Sequence, residues 1–259
     1  MSKVASPQKS ISVWALGIIA VVGLANYAGT VVFGGDDFSI DDAWFLLAEL
    51  VCAFFAFLVS KRYRGSDVFG RAYLFLGLAF VSWFIGDLMY YYLKTLGMDP
   101  YPSPFDVFYI GSYVFAALHL IINSRYFKRK WSPAMKAWLI ACPVVITAIY
   151  LFVAASEWGE YDELPFDLAY GGIFVFGVSV LLALAIIGAS VFRQSILGTV
   201  WLLLAGGIFL WAVADVWYYY TEIFFEEGEQ LAASHPLNSI WMAAFATITY
   251  ALVKHRKSI

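Results

Sequence analysis

The segment AYLFLGLAFVSWFIGDLMYYY, residues 72–92, is the clearest indication of the fold class. Its 21 residues contain one charged side chain, Asp87, and are otherwise apolar, aromatic or small. A helix needs about 20 such residues to cross the hydrocarbon core of a bilayer, which is ~30 Å thick. The segment is therefore predicted to be a transmembrane helix, and it ends in an acidic and aromatic motif.

The composition extends this prediction to the whole chain. Of its 259 residues, 62% are hydrophobic and 14% are charged, whereas soluble domains average about 45–50% and about 25%. Such a chain cannot cover a water-facing surface, which excludes a soluble, a disordered and a nucleic-acid-binding protein. The two cysteines, Cys52 and Cys142, lie in apolar runs and support neither a disulfide framework nor a metal site. We predict a multi-pass protein of the cell membrane, without a metal or cofactor.

Eight segments are long and apolar enough to cross a membrane, which predicts an all-α polytopic protein. These spans are 11–33, 43–60, 72–92, 106–123, 137–155, 167–192, 195–219 and 238–253. The first is longer than the ~7–15-residue apolar core of a signal peptide, so it is interpreted as a retained helix. An even number of spans places both termini on the same side of the membrane.

The basic residues indicate which side that is. With these spans, 15 of the 16 Lys and Arg residues fall on the side of the termini, and Lys94 is the exception. The positive-inside rule predicts that this side is cytoplasmic. The loops on the other side are acidic, with Asp36, Asp37, Asp41 and Asp42, then Glu157, Glu160, Asp162 and Glu163, then Glu222, Glu226, Glu227 and Glu229.

The motif at the end of the third span recurs 128 residues later. Residues 83–92 are WFIGDLMYYY and residues 211–220 are WAVADVWYYY. The spans that follow also begin alike, with PFDVFY at 104–109 and PLNSIW at 236–241. This pattern predicts a tandem duplication, with one four-helix repeat in residues 1–130 and another in 131–259, integrated into one membrane domain. Since each repeat has an even number of helices, the two would be parallel repeats, related by an axis near the membrane normal.

Carboxyl groups inside the spans are candidates for function, because a charge in hydrocarbon is costly unless it is paired, neutralised or exposed to water. Asp87 and Asp215 are equivalent in the two repeats. Each shares a helix face with a Trp four residues earlier and with Tyr residues three and four positions later. Together with Glu49 they predict an acidic, aromatic-walled cavity in the outer half of the membrane. The candidate ligand-binding residues are Glu49, Trp83, Asp87, Tyr90, Tyr91, Asp106, Trp211, Asp215, Tyr218 and Tyr219.

These residues also have structural interpretations. The Tyr triplets are typical of the aromatic belt at a membrane interface. Four predicted helix starts carry a side chain suited to an N-cap, namely Asp42, Asp106, Asp167 and Asn238. Asp87 and Asp215 lie too late in their helices to be caps, and the structural alternative for them is a polar clamp between the repeats. His119 is interpreted as a hydrogen-bonded packing residue.

Residues 86–92, GDLMYYY, and 102–113, PSPFDVFYIGSY, resemble the amino-terminal membrane regions of bacterial and archaeal histidine kinases and diguanylate cyclases. In that family a Gly-Asp helix end is followed by a Pro-Ser-x-x-Asp-x-x-Tyr segment that opens the next helix. The similarity is concentrated in residues 80–115. It implies a sensory membrane module of prokaryotic signal transduction, although no kinase or cyclase domain follows the eighth predicted span in this sequence.

A second, weaker similarity is to the lysoplasmalogenase family of eight-helix membrane enzymes. In that family paired acids are thought to protonate and hydrate a lipid vinyl ether. The resemblance implies that Asp87 and Asp215 would be the catalytic acid and base, although the spacing around Asp215 matches poorly.

The sequence thus favours a stand-alone sensory or ligand-binding module for a lipid or small hydrophobic ligand. The alternatives are a lipid-directed enzyme and an accessory subunit of a membrane complex. The partners expected are membrane lipids, a cytoplasmic or membrane signalling protein, and a second copy of the chain.

Overall fold

The computed structural model describes residues 11–33, 40–98, 100, 102–155, 164–224 and 227–258, and within these ranges it is all-helical. The helices are α1 Val13–Phe33, α2 Ile40–Arg62, α3 Phe69–Thr95, α4 Val107–Phe127, α5 Pro133–Ala154, α6 Leu164–Phe192, α7 Gly198–Phe224 and α8 Glu227–Ser258, with a 3-10 turn at Pro104–Asp106. Each of the eight α-helices contains a segment long and apolar enough to cross a membrane. The predicted all-helical, multi-pass architecture is confirmed at this level.

Local sequence accounts for several helix ends. The Ser132 hydroxyl accepts a hydrogen bond from the N–H of Met135, and Pro133 occupies the first turn of α5. This is the usual N-terminal arrangement, because the serine satisfies a free N–H and proline has none to satisfy. Gly65 and Gly97 follow α2 and α3 with positive φ angles of 107° and 65°, a conformation that is strained for residues with a Cβ.

The N-cap predictions are wrong for three helices. Asp42, Asp167 and Asn238 lie inside α2, α6 and α8, which begin two, three and eleven residues earlier. In α8 the sequence is misleading because Pro236 usually marks a helix start, whereas here the helix runs through it. Asp106 precedes α4 directly, but its side chain makes no capping hydrogen bond to that helix.

Six helices form a closed ring. Each packs against the next in the order α2, α3, α4, α6, α7 and α8, and α8 packs against α2. The large side chains of the core are fully buried, among them Tyr73, Phe80, Trp201, Trp211 and Phe245. Outside the ring, α1 packs mainly on α8 and α5 mainly on α6.

Basic side chains gather at one end of the bundle, where α2, α4, α6 and α8 finish and α3, α5 and α7 begin. We call this the basic end, and its residues are Lys61, Arg62, Arg64, Arg71, Arg125, Lys128, Arg129, Lys130, Lys136, Arg193, Lys254, Arg256 and Lys257. Lys94 lies at the opposite end, in the last turn of α3. Segments 34–39, 156–163 and 225–226, which hold most of the predicted acidic loop residues, lie outside the described residues.

Candidate functional site

Two tryptophans of the repeated motif meet at the centre of the ring. Trp83 on α3 and Trp211 on α7 have ring centroids 4.2 Å apart and planes inclined by 38°. Phe245 contacts Trp83 at 5.3 Å, and Tyr113 contacts Trp211 at 5.9 Å. Tyr113 and Phe245 each lie nine residues after the proline that opens the PFDVFY or PLNSIW segment. Residues at equivalent sequence positions therefore make equivalent contacts on the two sides of the tryptophan pair.

Asp87 lies one helical turn beyond Trp83 and is 9% exposed. Its Oδ1 accepts a hydrogen bond of 2.6 Å from the Tyr109 hydroxyl. Its Oδ2 is buried and has no hydrogen-bond partner among the described residues.

Glu49 of α2 lies beside Asp87 and is fully buried. Within the described residues, no N–H or hydroxyl group donates to either carboxyl oxygen of Glu49, and the carboxyl group of Asp87 lies within hydrogen-bonding reach of it. Since an unpaired polar atom inside a protein costs free energy, the Glu49–Asp87 pair is an energetically expensive arrangement.

Asp215 occupies the equivalent position on α7, but both of its carboxyl oxygens are satisfied. Oδ2 accepts a hydrogen bond of 2.5 Å from the Tyr113 hydroxyl, and Oδ1 accepts one of 2.7 Å from Trp241 Nε1. Phe174 lies seven residues after Asp167, as Glu49 lies seven after Asp42, and it stacks on Tyr219 at 5.0 Å. The first half of the chain thus has an acidic pair where the second half has one fully hydrogen-bonded acid.

One helix supplies hydroxyl donors to both aspartates. Tyr109 and Tyr113 are four residues apart on α4, a rise of ~6 Å, and they donate to Asp87 and Asp215 respectively. The two carboxyl groups also interact electrostatically. We call Glu49, Asp87, Tyr109, Tyr113 and Asp215 the carboxyl cluster, since the structure brings them together beside the tryptophan pair.

The two Tyr triplets divide into inner and outer members. In each triplet the first two rings meet edge to face, with centroids 5.7 Å apart in residues 90–92 and 5.1 Å apart in residues 218–220. Tyr91 also interacts electrostatically with Asp87. The third tyrosine of each triplet is 55% and 38% exposed, respectively. The first two members therefore belong to the bundle, and the third fits an interfacial aromatic belt.

Asp106 has a structural role at the start of α4. Its carboxylate accepts a hydrogen bond of 2.7 Å from the N–H of Ser103, which completes a capping box around the 3-10 turn. It also accepts a hydrogen bond from the Tyr170 hydroxyl of α6. These contacts fix the entry to α4 against α6, and so position the helix that carries Tyr109 and Tyr113.

A second buried polar cluster, which sequence reasoning missed, lies towards the basic end. The Tyr73 ring contacts the imidazoles of His119 and His255, each at a centroid distance of 4.7 Å. His119 Nδ1 donates to the carbonyl of Ala72 at 3.0 Å, so it is hydrogen-bonded as predicted. Several buried polar atoms here have no hydrogen-bond partner among the described residues: Tyr73 Oη, His119 Nε2, Asn123 Oδ1, Ser124 Oγ, Trp201 Nε1 and both ring nitrogens of His255.

We call Tyr73, His119, Asn123, Ser124, Trp201 and His255 the histidine cluster. In the sequence, the only indication of this cluster was that polar side chains occur within apolar spans. It could not pair His119 with His255, which are 136 residues apart on α4 and α8.

Two cavities differ in position and character. A closed cavity of about 10 Å³ lies between the clusters and is lined by apolar side chains together with His119 and Trp211. A larger groove of about 360 Å³, open to the outside, runs between α1, α2 and α8 and is almost entirely apolar. Neither is lined by Asp87 or Asp215, so neither corresponds to the predicted acidic cavity. Across the described ranges, no three His, Cys, Asp or Glu side chains are placed to hold a metal ion.

Comparisons with known proteins give no match to this chain, whether with protein-family models, curated proteins or solved structures.

Proposed function

We propose that the protein is a membrane sensory or ligand-binding module whose site is the Glu49–Asp87 pair of the carboxyl cluster. The observation that carries this proposal is the Glu49–Asp87 pair: two carboxyl groups lie side by side, and three of their four oxygens accept no hydrogen bond from an N–H or hydroxyl group of the described residues. Asp215 provides the contrast, because both of its carboxyl oxygens accept hydrogen bonds. An intramembrane acid that folding leaves unsatisfied marks a functional site.

The surroundings of this pair favour an amphipathic ligand. Trp83, Tyr91 and Tyr109 supply aromatic surface beside the acids. The carboxyl oxygens to which no protein group donates are available to accept hydrogen bonds from a ligand. A lipid or small hydrophobic molecule whose polar group carries N–H or O–H donors would satisfy both features.

We infer a cytoplasmic location for the basic end and for both termini. The support is the concentration of Lys and Arg at that end, which the positive-inside rule places in the cytoplasm of a cell-membrane protein. The same surface suits anionic lipid headgroups and a signalling partner.

We also infer that residues 1–130 and 131–259 arose by duplication and form parallel repeats. Besides the tryptophan pair, two helix contacts support this inference: the second helix of the first repeat, α2, packs on α8, and the second helix of the second repeat, α6, packs on α4. Cys52 donates a hydrogen bond to the carbonyl of Phe245, and its counterpart Gly177 lies against the ring of Tyr113, the counterpart of Phe245.

Variants of the three acids test the site. The protein and its Glu49→Gln, Asp87→Asn and Asp215→Asn variants would be extracted with their native lipids into nanodiscs and analysed by native mass spectrometry and lipidomics. We expect an enriched species in the wild type, and its loss in the Glu49 and Asp87 variants. Asp215→Asn should lower stability but retain that species. A folded Glu49→Gln variant with an unchanged bound species would contradict the proposal.

The adjacent carboxyl groups also bear on the enzyme alternative. Hydration of a lipid vinyl ether needs an acid and a base at one substrate. Glu49 and Asp87 lie side by side, whereas Asp215 is engaged by two donors. Incubation with a lysoplasmalogen, followed by measurement of released fatty aldehyde, distinguishes turnover from binding. Release that Glu49→Gln abolishes would favour the enzyme.

A further inference from the structure

We propose that the open groove between α1, α2 and α8 binds one anionic phospholipid, with an acyl chain in the groove and the headgroup at the basic end of the bundle. The site is separate from the Glu49–Asp87 pair, because neither of these residues lines the groove. The proposal therefore does not rest on the proposed function.

The groove arises because α1 and α2 both pack on α8 but make little contact with each other. A small side chain lines it from each helix, namely Ala15 of α1, Ala48 of α2 and Ala246 of α8. Its volume of about 360 Å³ lies within the range of ligand-binding pockets. Ile18 and Trp44 also line it and are exposed on the outer surface of the bundle. A ligand can therefore enter sideways from the surrounding lipid.

The lining of the groove suits a hydrocarbon chain. Among the described residues, no charged side chain lines it. Its two hydroxyl groups already have partners, since Thr249 Oγ1 is hydrogen-bonded to Cys52 Sγ at 3.2 Å and the Tyr250 hydroxyl accepts a hydrogen bond of 3.4 Å from the N–H of Ser12. A polar ligand would lose its hydrogen bonds to water here without replacing them, whereas an acyl chain has none to lose.

The length of the groove matches one leaflet of a bilayer. On α8 the groove extends from Met242 to Tyr250, a rise of ~12 Å. Lys254 lies one turn further towards the basic end, which places it ~18 Å from Met242 along the helix. Half of the hydrocarbon core of a bilayer is ~15 Å thick. An acyl chain that starts at the level of Lys254 therefore reaches the far end of the groove.

Basic side chains continue two walls of the groove at this end. Lys254 and Lys257 follow Tyr250 by four and seven residues, so all three lie on one face of α8. On α2, Lys61 follows Leu47 of the groove lining by fourteen residues, which returns to within about 40° of the same direction. The two helices thus present positive charge where the groove approaches the basic end.

The charge at this end favours an anionic headgroup over a zwitterionic one. In the part of the chain that the structure describes, the basic end carries thirteen Lys and Arg side chains, and Asp67 is its single acid. Basic pockets between transmembrane helices bind the headgroups of anionic lipids. Each basic side chain near such a headgroup strengthens binding about fivefold.

Native mass spectrometry of the purified protein, titrated in detergent with a single lipid, tests the proposal. The probes are palmitoyl-oleoyl-phosphatidylglycerol and the phosphatidylcholine with the same acyl chains. We expect the first phosphatidylglycerol to bind about tenfold more tightly than the first phosphatidylcholine. Glycerophosphoglycerol, which has the headgroup without acyl chains, should not displace the lipid. Displacement would mean that the basic end binds the phosphate alone, without the groove.

A pair of variants on α1 tests the acyl-chain site. Ala15→Phe fills the groove and should weaken the binding of phosphatidylglycerol by about fivefold or more. The matched control is Ala20→Phe, because Ala20 is exposed on the same helix and does not line the groove. This control should keep the wild-type affinity. If Ala15→Phe does not fold, Ala246→Leu takes its place in the same comparison.

A second pair of variants tests the headgroup site. Changing Lys254 and Lys257 together to Gln should weaken phosphatidylglycerol binding about tenfold and leave phosphatidylcholine binding unchanged. Changing Lys128 and Lys130 to Gln removes the same charge from the basic end between α4 and α5, and should have little effect. Equal losses in the two double variants would mean that the general charge of this end, and not the groove, attracts the lipid.

Three further results would overturn the proposal. The first is equal affinity of the wild type for the two lipids. The second is a folded Ala15→Phe variant with wild-type affinity. The third is a protein dimer that Ala15→Phe separates, because the groove would then hold a second copy of the chain. Glu49→Gln should retain phosphatidylglycerol binding, and its loss there would place the lipid at the carboxyl pair instead. The two proposals can therefore fail independently.

Discussion

The hydrogen bond from Tyr113 to Asp215 offers a direct measurement of how the bundle stabilises a buried acid. Tyr113→Phe removes the hydroxyl that donates to Oδ2 at 2.5 Å and keeps the ring. Asp215 is 4% exposed, so water cannot easily take the place of the lost donor. Trp241 still donates to Oδ1, and the carboxyl group therefore loses one of two hydrogen bonds.

Two reference values bracket the expected loss of stability. A hydrogen bond to a charged group contributes about 1.5–3 kcal/mol in soluble proteins. Side-chain hydrogen bonds between membrane helices average about 0.6 kcal/mol and reach about 1.7 kcal/mol. Because the bond is short and its acceptor is buried, we expect Tyr113→Phe to lower the free energy of unfolding by about 1–2 kcal/mol.

Reversible unfolding in mixed micelles of increasing dodecyl sulfate content, followed by circular dichroism, measures this quantity. Tyr126→Phe is the matched control, because Tyr126 lies on the same helix and is 66% exposed. Combining Tyr113→Phe with Asp215→Asn gives the coupling energy of the pair. The reasoning is refuted if Tyr113→Phe unfolds like the control, or if the coupling energy is zero within error.

Three further predictions concern the packing around Gly207, the energetic cost of burying Glu49, and the orientation of the protein in the membrane. Gly207→Ala should destabilise the protein by about 1–3 kcal/mol, because its Cβ would lie 2.5 Å from Ile248. Gly206→Ala meets no atom within 4 Å and should be neutral or stabilising; equal effects in the same unfolding assay would contradict the packing argument. Glu49→Leu should raise stability by about 1–4 kcal/mol and abolish ligand binding, whereas a destabilised variant would mean that the acid is structural. For the orientation, Tyr126→Cys should be shielded from a membrane-impermeant maleimide in intact cells, whereas Tyr92→Cys should react with it. Labelling of Tyr126→Cys but not of Tyr92→Cys would show that the proposed orientation in the membrane is inverted.

Much of the fold follows from local sequence. Transfer of an apolar segment from water to hydrocarbon depends on its own side chains, so the span positions could be predicted without any tertiary contact. The exception is the start of α8. The helix continues for nine residues before Pro236, where hydropathy and the proline both suggested a loop.

The candidate site was predictable in part. The repeated motif led to Asp87 and Asp215 and to the tryptophans that stack beside them. It did not indicate that the two acids have different surroundings, because their partners come from α2, α4 and α8. Asp106 was predicted to bind a ligand because it lies in one of the motifs. Its hydrogen bonds with Ser103 and Tyr170 account for it as a structural residue at the start of α4.

Local sequence was enough to predict a multi-pass membrane protein, its eight long apolar helices and the end of the bundle at which the basic side chains gather. Each of these depends on properties that add up along a continuous segment. The folded structure was needed to find the order of the helices around the ring, the pairing of Glu49 with Asp87, and the contacts of His119 and His255 with the same Tyr73 ring. Hydrogen bonding and electrostatic interaction act over a few ångströms, so they depend on which distant segments fold against one another.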